Sequence, residues 1–212
     1  MIQRSRWIVG NRGKRLFITL EGIEGCGKST QARRLVDRLE EAGISSILTL
    51  EPGGTPIGKE IRRILLDSKN KDLSPLSVKP ALVKKKWVVC DRFFDATTAY
   101  QGYARGQDNE LIRLLNEKAS LGIRPDITFL IDCPVEVGLE RALKRNEIME
   151  QEGQDRFERE EMNFHTAVRE GYLSIAKNEP ARFMVVDGTL GEDELEERIF
   201  EHIRPSLSKR SD

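Results

Sequence analysis

Apolar residues fall into five short runs separated by stretches with a helical period. Residues 16–20 (LFITL) form a continuous, uncharged, β-favouring run, the pattern of a parallel strand buried on both faces. Residues 44–50, 87–90, 127–132 and 183–187 read as the other four strands. Between them, residues 28–42 place Ala32, Leu35, Val36 and Leu39 at helical spacing, and Gly43 stops the run. Thr55 caps a further helix with Pro56 in its first turn and a stripe of Ile57, Ile61, Ile64 and Leu65. Helices are also predicted over 109–121, 135–145, 158–178 and 192–203. Strands alternating with helices imply right-handed crossovers, hence an α/β fold: a five-stranded parallel sheet flanked by helices on both faces. Residues 146–156 are polar and charged, a surface loop, and residues 72–86 are irregular.

Composition narrows the function classes. The chain has 212 residues, 38% hydrophobic and 33% charged, which suits one globular domain with a full core. We expect that domain over 15–206, with a disordered or non-native basic arm at 1–14 and a tail at 207–212. Lys plus Arg and Asp plus Glu each number 35, a zero formal net charge that argues against a nucleic-acid or membrane binder. Cys26, Cys90 and Cys133 form no CxxC pair and read as reduced thiols, consistent with a cytoplasmic protein. There is no apolar run of transmembrane length, and residues 1–14 lack the apolar stretch of a signal peptide.

The strongest chemical signal is Gly22-Ile23-Glu24-Gly25-Cys26-Gly27-Lys28-Ser29, followed by Thr30. It fits G-x-x-x-x-G-K-[ST] and lies after a predicted strand and before a predicted helix, which places the chain in the P-loop NTPase fold. The glycines let successive N–H groups converge on phosphate oxygens, and the helix N-terminus adds partial positive charge. Lys28 is expected on the β- and γ-phosphates of a nucleoside triphosphate and Ser29 on Mg²⁺; the loop alone does not choose between ATPases, GTPases and kinases. Other motifs gather at the carboxyl ends of the strands, where open α/β sheets bind ligands. Glu51-Pro52-Gly53-Gly54-Thr55 is a sharp loop after the second strand. Asp91-Arg92 closes the third, with Asp91 able to hold Mg²⁺ or its water and Arg92 able to fork onto a phosphate. Thr97, Tyr100 and Gln101 offer hydrogen bonds and a flat face to a sugar or base. Arg141, Arg145 and Arg156 flank or lie in the charged loop, where an arginine can stabilise the equatorial oxygens of a transferring phosphoryl group. His165 and His202 sit in amphipathic helices and read as structural or exposed.

Taken together, FITLEGIEGCGKST, EPGGTPIG, CDRF, TAYQG, the strand from Arg124 to Pro134 and DRFE resemble the thymidylate kinase family over nearly the whole chain. The resemblance implies phosphorylation of dTMP by ATP with Mg²⁺, a lid at about 146–157 and a homodimer. It implies that Glu24 approaches the sugar 3′-hydroxyl, that Asp91 and Arg92 serve the metal and the dTMP phosphate, and that Tyr100 packs beside the deoxyribose. It puts Pro52, Thr97 and Gln101 in the same pocket, and Asp187-Gly188-Thr189 beside adenine. One branch of the family carries a catalytic arginine where this chain has Gly25. The other takes it from the lid, which this chain resembles, so Arg156 is favoured, with Arg145 and Arg141 behind it. Phe93 stands where tyrosine is frequent.

One segment departs from the family. Relatives carry a helix between LSP and KPAL, with an aromatic that stacks on thymine and an arginine that reads the base. Here Ser74–Ser77 runs almost directly into Val78-Lys79-Pro80-Ala81-Leu82. The faithful flanks favour residues left out of the sequence over a true deletion. With a true deletion the alternatives are another nucleotide or deoxynucleoside kinase, or a catalytically impaired nucleotide-binding protein.

Overall fold

Strand β1 (Phe17–Glu21) is buried at every position, so both faces of the sheet are covered at its centre. The structure is a computed structural model that describes residues 15–50, 86–148 and 162–207. Its other elements are α1 (Lys28–Glu41), β2 (Ser46–Leu50), β3 (Trp87–Asp91), α2 (Phe94–Thr97), a π-helical segment (Thr98–Ala104), α3 (Asn109–Ala119), β4 (Ile127–Asp132), α4 (Val135–Ile148), α5 (Met162–Asn178), β5 (Phe183–Asp187) and α6 (Glu192–Leu207). The five strands form one parallel sheet in the order β2-β3-β1-β4-β5. The α/β architecture is as the pattern predicts.

The alternation of side chains divides the core. Ile18, Leu20 and Val89 pack with Leu35, Leu39, Ile199 and Ile203 from α1 and α6. Phe17, Val88 and Cys90 face the other way and pack against Phe93. On that second face Thr19 and Thr128 share a hydroxyl hydrogen bond of 2.8 Å across β1 and β4. Arg182 donates to the same Thr128 at 2.8 Å and forks onto the buried Asp95 of α2 at 2.7 and 2.8 Å. This is a bidentate charged pair that locks α2 to the start of β5.

β1 pairs with β3 on one side and β4 on the other, so the chain reverses direction across the sheet at β1. The crevice that this reversal opens lies at the strands' carboxyl ends, where the glycine-rich loop, Asp91-Arg92 and Asp132 all sit. β4 and β5 occupy their predicted residues. The last helix runs four residues past its predicted end, to Leu207, with Pro205 in its final turn. Residues 94–104, given no element by the pattern, are helical. Residues 146–148, expected to open the charged loop, instead continue α4 to Ile148; the helix expected after Thr55, the irregular 72–86 stretch up to residue 85, and the rest of the expected lid lie outside the described residues.

Candidate active site

The loop from Gly22 to Ser29 joins β1 to α1 on a backbone that needs its glycines. Gly25 has φ +68°, and a Cβ there would lie 1.9 Å from the carbonyl oxygen of Gly138 in α4. Gly27 has φ +97°, caps α1 and faces open space. A left-handed residue at the helix cap, with no Cβ and free amides behind it, is the cradle an anion needs. Lys28 lies buried across the loop and donates from Nζ to Ile23 O at 2.9 Å. Cys26 is buried beneath it, with Sγ 4.0 Å from Nζ. Thr30 is half-buried in the first turn of α1.

Ser29 Oγ donates to Asp91 Oδ2, and Asp91 Oδ1 is buried with no hydrogen-bond partner among the described residues. A hydroxyl beside an unsatisfied carboxylate oxygen is a hard, oxygen-only donor set, so these residues fit Mg²⁺.

Arg92 follows with φ +67°, a conformation rare for a side chain this large. Two main-chain hydrogen bonds hold it there. Arg92 N donates to Leu20 O at 3.0 Å, extending the β1–β3 ladder, and Phe93 N donates to Glu21 Oε1 at 2.6 Å. The guanidinium is equally fixed. Nη2 donates to Glu24 Oε1 at 3.0 Å, Nη1 to Tyr172 Oη at 3.2 Å, and the group lies 5.1 Å from the Tyr100 ring centroid. Tyr100 Oη donates to the same Glu24 oxygen at 2.5 Å, and Tyr172 Oη donates to Glu21 Oε2 at 3.0 Å. One connected network thus runs Glu21–Tyr172–Arg92–Glu24–Tyr100.

The network sorts its charges. Burial works against the Arg92 cation, but Tyr100, Tyr172 and Glu24 outweigh it and hold its pKa well above the ordinary value. Burial would raise Glu24, yet His165, Arg92 and Lys28 together pull it far below the usual carboxylate range. Glu21 goes the other way. Burial, reinforced by the charge of Asp95, pushes it up to about 8 despite Arg92 and the Phe93 amide. Glu24 is therefore the anion that partners Arg92, and Glu21 is the group nearer neutrality.

Of the residues singled out in the sequence, Gly22, Glu24, Gly25, Gly27, Lys28, Ser29, Asp91, Arg92 and Tyr100 converge at this edge of the sheet. Gln101 is half-buried in the π-helical segment and Thr97 is exposed at the end of α2. Arg141 is engaged with the expected adenine-side loop, donating from Nη1 to Gly188 O at 2.8 Å. Arg145 is exposed near the end of α4. Pro52 and Arg156 lie outside the described residues. His202 is exposed, whereas His165 is completely buried against Glu24.

Glu21, Tyr172, Asp132 and Arg169 were not singled out. Glu21 ends an apolar strand, where a carboxylate reads as solvent-facing, and Tyr172 reads as one residue of a helix stripe. Asp132 and Arg169 form a fork of 2.6 and 2.8 Å beside Gly22 and Ile23. An acid closing β4 at the same edge as Asp91 was the available signal.

The model of the family described as thymidylate kinase matches residues 20–79 and 74–199. The two pieces overlap at 74–79, where the sequence shows its helix-length departure. A thymidylate kinase of Geotalea uraniireducens is 47% identical over 199 residues, spanning 86% of this chain and 93% of that protein. That alignment is longer than the part of this chain it spans, so the relative carries residues with no counterpart here. One from Desulfosudis oleivorans is 51% identical over 189 residues, spanning 81% and 88%. Among solved structures, the thymidylate kinase of Ehrlichia chaffeensis superposes with a TM-score of 0.69 at 31% identity, covering 90% of this chain and 98% of that one.

Proposed function

The chain belongs to the thymidylate kinase family, and from that premise we propose how its own residues serve the reaction. The protein is a nucleoside monophosphate kinase that phosphorylates dTMP to dTDP with ATP, a step of dTTP synthesis. ATP lies with its phosphates on the amides of residues 22–30. Lys28 leaves the Ile23 carbonyl to meet the β- and γ-phosphates. Ser29 and Asp91 would hold Mg²⁺, which when bound would supply neutralisation of the charge that develops on the phosphates.

The observation that carries the acceptor assignment is Arg92. It is a half-buried cation whose Nη1 and Nη2 each make one hydrogen bond to protein among the described residues, with further N–H groups there to meet the dTMP phosphate. Tyr100 flanks the deoxyribose, Glu24 meets its 3′-hydroxyl, and Pro52, Thr97 and Gln101 complete the pocket. A phosphate oxygen of dTMP forms the new bond to the γ-phosphorus as the bond to the bridging oxygen of ADP breaks. No general base is needed, because the acceptor is already an anion. The rest is positioning and charge stabilisation. Gly25 is packed too tightly on α4 to be replaced by an arginine, which supports a catalytic arginine from the lid, Arg156 first and Arg145 second.

The reading extends to a cytoplasmic homodimer. Leu111, Leu114 and Leu115 form an exposed apolar stripe on α3, which supports a second copy covering it. Among the described residues no helix is long and apolar enough to cross a membrane. The test is an assay with Mg²⁺-ATP against dTMP, dUMP, dCMP, AMP and GMP, alongside Arg92→Ala. We expect dTMP to be the best acceptor and Arg92→Ala to raise its KM at least tenfold. Equal turnover of all five, or an unaffected Arg92→Ala, refutes the assignment.

A further inference from the structure

Three buried polar atoms without a hydrogen-bond partner among the described residues meet at one place behind the acceptor pocket. They are Oε2 of Glu24 and both ring nitrogens of His165. His165 is fully buried in the first turn of α5, and its Nδ1 stands 3.6 Å from Glu24 Oε2. Buried polar groups are nearly always paired, so a histidine that only filled space here would be an expensive choice over an apolar residue. A contraction of about half an ångström turns the contact into a hydrogen bond.

We propose that His165 is a positioning residue for Glu24: its Nδ1–H tethers Oε2 and so keeps Oε1 between Arg92 and Tyr100. The proton belongs on Nδ1, because a lone pair facing a carboxylate oxygen is repelled. The tether matters once an acceptor binds. Arg92 must then share its charge between Glu24 and the incoming phosphate, and a Glu24 held by Arg92 and Tyr100 alone is free to follow the guanidinium. With Oε2 anchored from α5, the carboxylate stays in place while Arg92 takes the phosphate. The role therefore concerns the acceptor and not ATP, and it rests on the dTMP reading above.

The test uses the full chain with His165→Phe, His165→Asn and Glu24→Gln. Phenylalanine fills the space without a donor, and asparagine places an amide N–H near the Nδ1 position. His165→Phe is expected to lower kcat/KM for dTMP about tenfold or more, the scale of a lost hydrogen bond to a charged group, with KM for ATP within about twofold of wild type. His165→Asn is expected to recover most of that loss. A second readout needs no turnover. The chain has only two histidines, so imidazole ¹H–¹⁵N spectra contain one signal set besides that of His202. We expect His165 in the Nδ1–H tautomer, with its signals shifted by Glu24→Gln and those of His202 unmoved. The proposal is overturned if folded His165→Phe keeps kcat/KM for dTMP within about twofold, if asparagine is no better than phenylalanine, or if His165 signals ignore Glu24→Gln. A wild-type protein that fails to use dTMP sinks the acceptor reading instead, and the spectra still decide whether His165 engages Glu24.

Discussion

Replacing Gly25 by alanine is the most direct test of how the phosphate loop is built. Two costs can be separated. A non-glycine residue at φ +68° carries left-handed strain of about 1–2 kcal/mol. The new Cβ would also lie 1.9 Å from Gly138 O and 2.8 Å from its carbon. Those are backbone atoms of α4, so no rotamer relieves the clash. The loop and the helix must separate by about 1.5 Å to reach ordinary contact, an overpacking cost of about 1–3 kcal/mol. Gly138 cannot be made smaller, and a Cβ on it would itself meet Glu24 O at 2.6 Å, so the contact is tight from both sides. The total, about 2–5 kcal/mol, corresponds in a chain of this size to a fall in Tm of about 4–20 °C. The displaced loop carries the amides proposed to hold ATP, so the affinity for ATP should fall about tenfold or more. Calorimetry with and without ATP and direct titration of the nucleotide measure both effects. Gly25→Ala with Tm within about 2 °C of wild type and unchanged ATP affinity would refute the reasoning, and with it the physical ground for looking beyond position 25 for the catalytic arginine.

Other substitutions probe the network and the frame around it. Tyr172→Phe removes the hydroxyl between Glu21 and Arg92, and is expected to raise KM for dTMP about three- to tenfold while leaving KM for ATP unchanged; an unaltered dTMP KM would show the bridge to be idle. Glu21, raised from 4.5 to about 8, binds its proton more tightly folded than unfolded, so its contribution to stability is full below about pH 4.5 and is lost as pH rises through 8. The Tm of Glu21→Gln minus that of wild type should accordingly grow between pH 5 and pH 8, and a flat difference across that range contradicts the assignment. Arg182→Ala leaves the buried Asp95 without its fork and should cost about 3–5 kcal/mol in chemical denaturation; a loss below 1 kcal/mol would mean that Asp95 is neutral in the native protein.

The sheet was legible because its central strands β1, β3 and β4, buried on both faces, leave uninterrupted apolar runs, while the edge strand β5 is marked by a short apolar run closed by Gly188. The donor loop was legible because its chemistry requires glycines and lysine at fixed spacing next to a strand and a helix. The segment 94–104 was not. A π-helical turn does not repeat at i+3 and i+4, so Tyr100 and Gln101 stood out as polar residues with no element beneath them. His165 and Glu21 were hidden for another reason. Each is a titratable residue in an apolar setting whose partner lies far along the chain, and no local spacing encodes Glu24 opposite His165 or Tyr172 opposite Glu21.

These long-range partners explain why an arginine stands at position 92. The backbone there pays a strain that two hydrogen bonds offset, one from the sheet ladder and one to Oε1 of Glu21. That conformation ends the strand and places the guanidinium between Glu24 and Tyr172, with the Tyr100 ring beside it. A lysine has its three donors on a single nitrogen. It could satisfy Glu24 and Tyr172 from that one atom, but would then have only one N–H left for the acceptor. Arginine divides the work, with protein contacts on two nitrogens and further N–H groups in a fixed plane for phosphate. Glu24, Tyr100 and Tyr172 are thus the means by which this cation is kept charged and oriented, with N–H groups not engaged among the described residues, the state in which an acceptor phosphate gains most by binding.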